Sequence, residues 1–281
     1  MKKFVALIAV AAMCLLLLCA CSGGKTTVKV IDIQLSSEEY AFAVNPNDAE
    51  LLTKVNTFLK EIKENGKFDE ICNHYFGDGK PVEIESAAED SSKDQLIVVT
   101  EPGFAPFEYT SGSKYLGIDM EMAKLLADYL GKELVIKAIE FDSIFQTLNT
   151  NGADIGMAGI TVNESRKLLV KFSDTYYNAA QKIIVKSDDT TFDDCKTKED
   201  VDKLLNGDKK LKIGVQSGTT GQFYVEGSED FGFEKIANAE AVGFTNGTSA
   251  VTAMANGDVD YVIIDEAPAA AIAKAFNAMN G

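Results

Sequence analysis

The sequence predicts an α/β fold with largely parallel sheets, of a size that suits two lobes. Three observations carry this. Strand-patterned and helix-patterned segments alternate along nearly the whole chain. The 281 residues are 46% apolar and 25% charged, the profile of a folded globular protein. About 260 residues remain once the N-terminal address segment is set aside, more than one compact core usually takes.

That address segment is Met-Lys-Lys followed by an unbroken apolar run, Phe4 to Ala20. It has the charged and apolar regions of a secretory signal (residues 1–20). The run ends Leu18-Cys19-Ala20-Cys21-Ser22-Gly23-Gly24, which resembles a bacterial lipobox with Cys21 as the lipidated residue. The alternative is a membrane-spanning anchor, for which the run is at the short limit. A lipid on Cys21 implies an extracytoplasmic protein tethered to the cell membrane. Cys72 and Cys195 then remain, too few for a disulfide framework, and both are expected to be free and in different lobes.

The elements follow in order. Val28–Ile33 and Tyr40–Val44 read as short strands. Asn47, with Glu50 three residues on, predicts a capped helix whose stripe is Leu51, Leu52, Val55, Phe58, Leu59 and Ile62, stopped by Gly66. A shorter helix carries Phe68, Ile71, Cys72 and Tyr75 on one side. His74 falls off that stripe and is expected at the surface. Residues 77–95 are rich in Glu, Ser, Ala and Asp and predict a flexible linker. Then come a strand over Leu96–Thr100, a helix over Ile118–Leu130, a strand over Leu134–Ala138, a helix over Asp142–Asn149 and a strand over Ala153–Gly159. Asn163 opens another short helix, and Gln181–Val185 is a strand. Lys198–Leu205, Leu211–Val215, Gly218–Val225, Ala241–Gly243, Ser249–Ala255, Val259–Ile264 and Ala267–Met279 continue the alternation.

Composition excludes several functions. The formal net charge is −16 with no Lys/Arg-rich run, so nucleic acid is not an expected partner. One His and no Trp leave little for a multi-His zinc site or a Ser-His or Cys-His enzyme. No metal or cofactor is expected.

From Leu96 onward six motifs stand out, Thr100–Tyr109, Gly117–Ala123, Ala153–Arg166, Phe172–Tyr177, Ile213–Thr220 and Val259–Glu266, and they resemble those of the extracellular solute-binding proteins of polar amino acid ABC transporters, bacterial family 3. The resemblance rests on Thr100-Glu-Pro-Gly-Phe-Ala-Pro-Phe-Glu-Tyr109, Gly117-Ile-Asp-Met-Glu-Met-Ala123 and Ala153-Asp-Ile-Gly-Met-Ala-Gly-Ile-Thr-Val-Asn-Glu-Ser-Arg166. It continues through Phe172-Ser-Asp-Thr-Tyr-Tyr177, Ile213-Gly-Val-Gln-Ser-Gly-Thr-Thr220 and Val259-Asp-Tyr-Val-Ile-Ile-Asp-Glu266. These stand in the family's order and at its spacing. The resemblance implies a two-lobed, type II periplasmic-binding-protein-like fold.

The order of the whole chain departs from the family. Segments that usually end a member stand first here: Val28–Ile33, Ser36-Ser-Glu-Glu-Tyr40, the helix after Asn47 and Tyr75-Phe-Gly77. This reads as a circular permutation. The expected organisation is a tether and strand of the second lobe in residues 21–36, the first lobe in 37–179 with the permutation linker 77–95 inside it, and the second lobe in 180–281.

An α-amino acid offers a carboxylate, an ammonium and a side chain. A selective site needs a planar bidentate donor for the first, which Arg supplies. Arg166 is the single arginine among 27 basic residues, and the resemblance assigns it the ligand carboxylate, helped by Thr161 and the backbone N–H groups around it. The alternative is a surface ion pair with Glu164 or an Asp. Thr219 and Thr220, after Gln216-Ser-Gly218, open a helix whose free N–H groups favour an anion. Asp265, at the C-terminal edge of an apolar strand, is where α/β sheets put ligands. By resemblance it takes the ammonium, with the carbonyls of Ala158 and Gly159. Its alternative is a helix cap. Phe104 and Phe141 match the positions that sandwich the ligand side chain, although periodicity alone makes them core. Glu101 and Gln216 are the polar groups for that side chain. Glu101 stands where many members have Asp, and Ile264 where relatives that bind glutamine or histidine often carry a polar residue.

The expected function is therefore an extracytoplasmic lipoprotein that binds a free polar or cationic L-amino acid, such as glutamine, arginine or lysine, with cystine also open. Its partners would be an ABC permease and its ATPase, and it would touch the membrane through the lipid alone. A sensory receptor shares the same site. A dehydratase of the prephenate or arogenate type, with Glu101 as general acid, is the enzymatic alternative.

Overall fold

The computed structural model describes residues 26–280. The secretory and lipobox readings on residues 1–25 lie outside the described residues. No helix among the described residues is long and apolar enough to cross a membrane.

Two five-stranded sheets organise the chain. The first has the order β10 (Lys171–Phe172), β3 (Ala43–Val44), β9 (Ile155–Gly156), β4 (Gln95–Thr100) and β8 (Glu133–Ala138). The second has the order β1 (Val28–Val30), β12 (Gln181–Lys186), β15 (Tyr261–Asp265), β13 (Leu211–Gln216) and β14 (Ala239–Phe244). In each sheet the pairings on one side are parallel, β9–β4–β8 and β15–β13–β14, and those on the other are antiparallel. The sheets are thus mixed rather than largely parallel. The antiparallel half of each comes from strands next to where the chain passes between the sheets, without a helical crossover to turn them parallel.

Strand alternation assigns the two faces. In the second sheet Ile183, Val185, Ile213, Val215, Tyr261 and Ile263 face one way and pack with Val201 and Leu205 of α6 (Lys198–Leu205) and with Tyr224 and Val225 of α7 (Thr220–Glu226). Ile184, Val262 and Ile264 face the other way, under α8 (Gly247–Asn256) and α9 (Glu266–Asn280). In the first sheet Leu96, Val98, Leu134 and Ile136 pack under α1 (Ala49–Glu64), α2 (Lys67–Phe76) and α3 (Ile118–Leu130). Val99 and Ala43 on its opposite face meet Ile144, Phe145 and Leu148 of α4 (Ser143–Asn149). Sheets covered by helices on both faces form the two lobes.

The chain passes between the lobes twice, through β2 (Glu38–Tyr40) and β11 (Tyr177–Ala179), which pair antiparallel as a two-stranded ribbon. A three-stranded sheet of β5 (Gly103–Phe104), β6 (Glu108–Ser111) and β7 (Lys114–Leu116) stands beside the first lobe's sheet.

Three local expectations change. The cap of α1 is Asp48, whose Oδ1 accepts from Leu51 N–H at 2.8 Å, while Asn47 reaches Asn151 instead. His74 is half-buried rather than free at the surface. Its Nδ1 lies 2.9 Å from the buried Glu121, which also accepts from Tyr75 Oη at 2.6 Å. The polar segment after Gly77 is not a free linker but a strap. Ile84 exchanges backbone bonds with Tyr115 of β7 at 2.8 and 3.0 Å, Ala87 N–H donates to Leu134 at 2.9 Å, and Ile84 itself is buried. Lys114 and Lys137 pair with Glu85 and Glu89 along it. Cys72 and Cys195 are both free.

The two ends of the described chain meet in the second lobe. Asn277 of α9 accepts from Val28 N–H and donates to Val28 C=O, both at 2.8 Å.

Candidate functional site

Strand ends build the site. Glu101 follows β4, Ala158 and Gly159 follow β9, Gln216 ends β13 and Asp265 ends β15. The parallel strands of both sheets therefore point their C-terminal ends at one cleft, the usual ligand position in open α/β sheets. There the lobes close tightly on a small cavity of about 10 Å³. All eleven residues singled out above line it: Glu101, Phe104, Phe141, Ala158, Gly159, Thr161, Arg166, Gln216, Thr219, Thr220 and Asp265. Glu108 on β6 is the twelfth.

Arg166 is held from three sides. Asn163 caps α5 (Glu164–Lys167) by accepting from Arg166 N–H at 2.7 Å, which fixes where the side chain leaves the helix. Its Nη1 donates to Thr161 C=O at 2.6 Å, and its Nη2 crosses the cleft to Gly218 C=O at 2.9 Å. Phe141 and Phe145 face the guanidinium at 5.2 and 4.9 Å. The residue is 6% exposed and forms no ion pair with a carboxylate among the described residues, so it is not a surface charge. Burial pulls its pKa down to about 10, still cationic at neutral pH. Two carbonyls leave guanidinium N–H donors for an anion.

Two glycines let the walls close. Gly159 has φ +52°, and a Cβ there would lie 2.8 Å from the Phe104 ring. Gly218 has φ +72°, and its Cβ would overlap Asp142 Oδ1. Further bonds span the cleft. Gln216 Nε2 donates to Glu101 at 3.0 Å, Thr220 Oγ1 to Thr161 Oγ1 at 3.3 Å, and Ser165 N–H to Asp230 at 3.1 Å.

Carboxylates dominate the interior. Burial pushes Glu101 up to about 6. Asp265 is pushed up to about 7 by burial and then by the charge of Glu38, and Tyr40 Oη donates to it. Asp119, at the start of α3, is pushed up to about 7 by burial while it accepts from Gly159 N–H at 3.0 Å and Tyr176 Oη at 2.7 Å. Glu108 is 1% exposed and its carboxyl stands well above the usual range, from burial and the nearby Asp119, Glu101 and Asp265. Glu108 Oε2 and Gln216 Oε1 are buried with no hydrogen-bond partner among the described residues. No His/Cys/Asp/Glu group among the described residues has an arrangement that could hold a metal ion.

Three residues beside the ligand space were not singled out from sequence: Glu108, Glu38 and Tyr40. Glu108 stood inside a quoted motif, and it is the buried first residue of β6, next to the buried Phe107. Glu38 and Tyr40 share one face of β2, whose burial alternates buried, exposed, buried. Glu38 accepts from Thr161 Oγ1 at 2.8 Å, from Ser36 Oγ at 2.6 Å and from Gln181 Nε2 at 3.0 Å. With its proton directed to Glu38, the Thr161 hydroxyl offers lone pairs to the cleft.

Two α/β lobes on a double-strand crossing close over a buried pocket lined by one arginine and several carboxylates, the architecture of a two-lobed solute-binding fold. Residues 96–256 match the bacterial extracellular solute-binding proteins, family 3, and the chain belongs to that family. It is 36% identical over 103 residues to the arginine-binding extracellular protein of Bacillus subtilis, covering 37% of this chain and 40% of that one. It is 30% identical over 195 residues to a probable histidine-binding protein of Neisseria gonorrhoeae, covering 65% of this chain and 66% of that one. The chain thus spans less than two thirds of the length of these relatives. The arginine-bound form of a truncated ArgBP from T. maritima superposes with a TM-score of 0.53 at 32% identity, covering 66% of this chain and 79% of that one.

Proposed function

We propose that this chain is an extracytoplasmic lipoprotein that closes two lobes on a basic L-amino acid and presents it to an ABC importer. The observation that carries the ligand class is the set of unsatisfied acceptors. Glu108 Oε2 and Gln216 Oε1 are buried without a hydrogen-bond partner among the described residues, and both line the pocket with Glu101. A buried acceptor without a donor is costly, and a guanidinium or ammonium supplies the donors. A neutral side chain would leave the buried carboxyls in their neutral form, whereas a cationic one offsets the cost of their ionisation.

In this reading Arg166 takes the α-carboxylate, and Asp265 takes the ammonium with the carbonyls of Ala158 and Gly159. Phe104 and Phe141 flank the aliphatic stem, and the cationic end meets Glu101, Glu108 and Gln216. Relatives named for binding arginine agree with a cationic ligand, while others are named for histidine and glutamine. Glu101, the acid of the enzymatic alternative, is engaged by the Gln216 amide, which fits a binding role better. The test is calorimetric titration of residues 22–281 with the twenty amino acids. Binding restricted to neutral amino acids would overturn the ligand class, and no binding would overturn the reading.

The anchor and the chain order belong to the same reading. Cys21 carries the lipid, and Cys21→Ser should move the protein from the membrane fraction to the medium or periplasm. The order is a circular permutation, with residues 37–179 as the first lobe and 180–281 plus Val28–Ile33 as the second. It is supported by the family match beginning at residue 96, and by β1, β2 and β3 completing both sheets and the crossing from the N-terminal side.

A further inference from the structure

We propose that Glu38 and Tyr40, on the crossing strand β2, are positioning residues that build the ammonium site from behind, one acting on each lobe. The inference rests on the amino-acid reading of the cleft and goes beyond it to residues that line no part of the cavity. Alternation along a three-residue strand turns both side chains to the same buried side and leaves Glu39 outside. Tyr40 Oη donates to Asp265 of the second lobe. Glu38 Oε2 accepts the Thr161 hydroxyl of the first lobe at 2.8 Å.

The polarity of each bond matters. A phenol that donates to Asp265 fixes the carboxylate's direction and leaves its other lone pairs free for a ligand cation. A carboxylate that takes the Thr161 proton makes that hydroxyl an acceptor, already receiving Thr220 Oγ1 at 3.3 Å. Thr161 therefore cannot also donate to a ligand carboxylate, and its side chain serves the ammonium instead. One strand thus sets one acceptor on each lobe.

The strand is stiff enough for this. It pairs with β11 on one side, and on the other Tyr40 bridges to Thr161, Ala41 N–H donates to Ile160 at 3.0 Å and Val162 N–H donates to Glu39 at 3.2 Å. The Tyr40 ring packs at 5.2 Å on Phe107 and 5.7 Å on Tyr177. Gln181 Nε2 and Ser36 Oγ hold the other oxygen of Glu38.

The experiment compares L-arginine with 5-guanidinopentanoate, the same molecule without the α-amino group. Tyr40→Phe keeps the ring and removes only the hydroxyl. It should weaken L-arginine about tenfold and the deamino compound less than twofold, since a hydrogen bond to a charged group is being removed behind the ammonium. Glu38→Gln should show the same selectivity, and should cost nothing further in a Thr161→Val background. Equal losses for both ligands mark a merely structural role and overturn the inference, as does an unchanged L-arginine affinity in both variants. If Tyr40→Phe fails to fold, the Glu38/Thr161 cycle decides alone. Wild-type protein that binds no basic amino acid overturns the reading of the cleft, and the inference with it. Wild-type protein that binds L-arginine, with variants that lose both ligands alike, overturns the inference only.

Discussion

The Arg166 guanidinium bonds Thr161 C=O in its own lobe and Gly218 C=O across the cleft, so it ties the lobes together, and in the proposed reading it also receives the ligand carboxylate. Lysine has a point charge and no planar fork, so Arg166→Lys should cost about 100-fold in amino-acid affinity, read by calorimetry. Glu108 has the opposite character, a buried carboxyl whose Oε2 has no hydrogen-bond partner among the described residues. Glu108→Gln should reduce L-arginine affinity by about tenfold and shift the arginine-to-glutamine preference toward glutamine. The same carboxyls make the protein pH-sensitive. Burial holds Glu101 up at about 6 and Asp119 and Asp265 up at about 7. A carboxyl with a raised folded pKa stabilises the fold below its unfolded pKa, near 4, and loses that contribution as pH rises through its folded value. The ligand-free melting temperature should therefore fall from pH 5 to pH 8. Surface acids with lowered pKa, such as Glu50 and Asp200, act below this window. A cationic ligand pulls the buried carboxyls toward ionisation, so its affinity should rise over the same interval. Titrations in buffers of different ionisation enthalpy should register released protons.

At the scale of elements, periodicity told most of the story where an element buries one face. Leu51, Val55, Phe58, Leu59 and Ile62 were named from spacing, and all are buried in α1. The residues aligned by motif meet at one cavity because strand ends converge, which spacing alone does not reveal. What stayed hidden has a common cause: polar groups buried by partners far away in sequence. Glu38 needs Thr161 and Gln181, and His74 needs Glu121. The strap over residues 77–94 is polar, yet it is ordered by bonds to β7 and β8 rather than by a core of its own. Its anchor is Ile84, and Ile84→Ala should cost about 2–4 kcal/mol in urea unfolding. A free linker would lose nothing. The same substitution should open Gly77–Gln95 to limited proteolysis, while the wild type resists cleavage there.

For the whole molecule, chain order and spatial order are separate matters. Residues 28–44 supply an edge strand to one sheet, a crossing strand and an inner strand to the other. A rearranged chain that begins at Gln95, runs to Asn280 and continues through Thr26 to Phe76 removes only the strap. It should keep the same amino-acid selectivity, with Kd within about threefold, because every residue at the cavity keeps its neighbours. Its melting temperature should drop by several degrees, on the order of 2–4 °C per kcal/mol lost with the strap. A rearranged chain that folds but loses binding would mean that the order of segments matters to the cleft.

The Val28–Asn277 clamp has a mechanical consequence. A load applied between Thr26 and Asn280 enters one lobe only, through a side-chain amide and a three-residue ladder to Lys186, Val185 and Ile184. The cleft lies outside that line of force. Pulled at these two points in an optical trap, the protein should first yield its edge strand in a small step whose force is the same with or without ligand. Only the later, larger rip should strengthen when the cleft is filled. Asn277→Ala should lower the first step and leave the second unchanged.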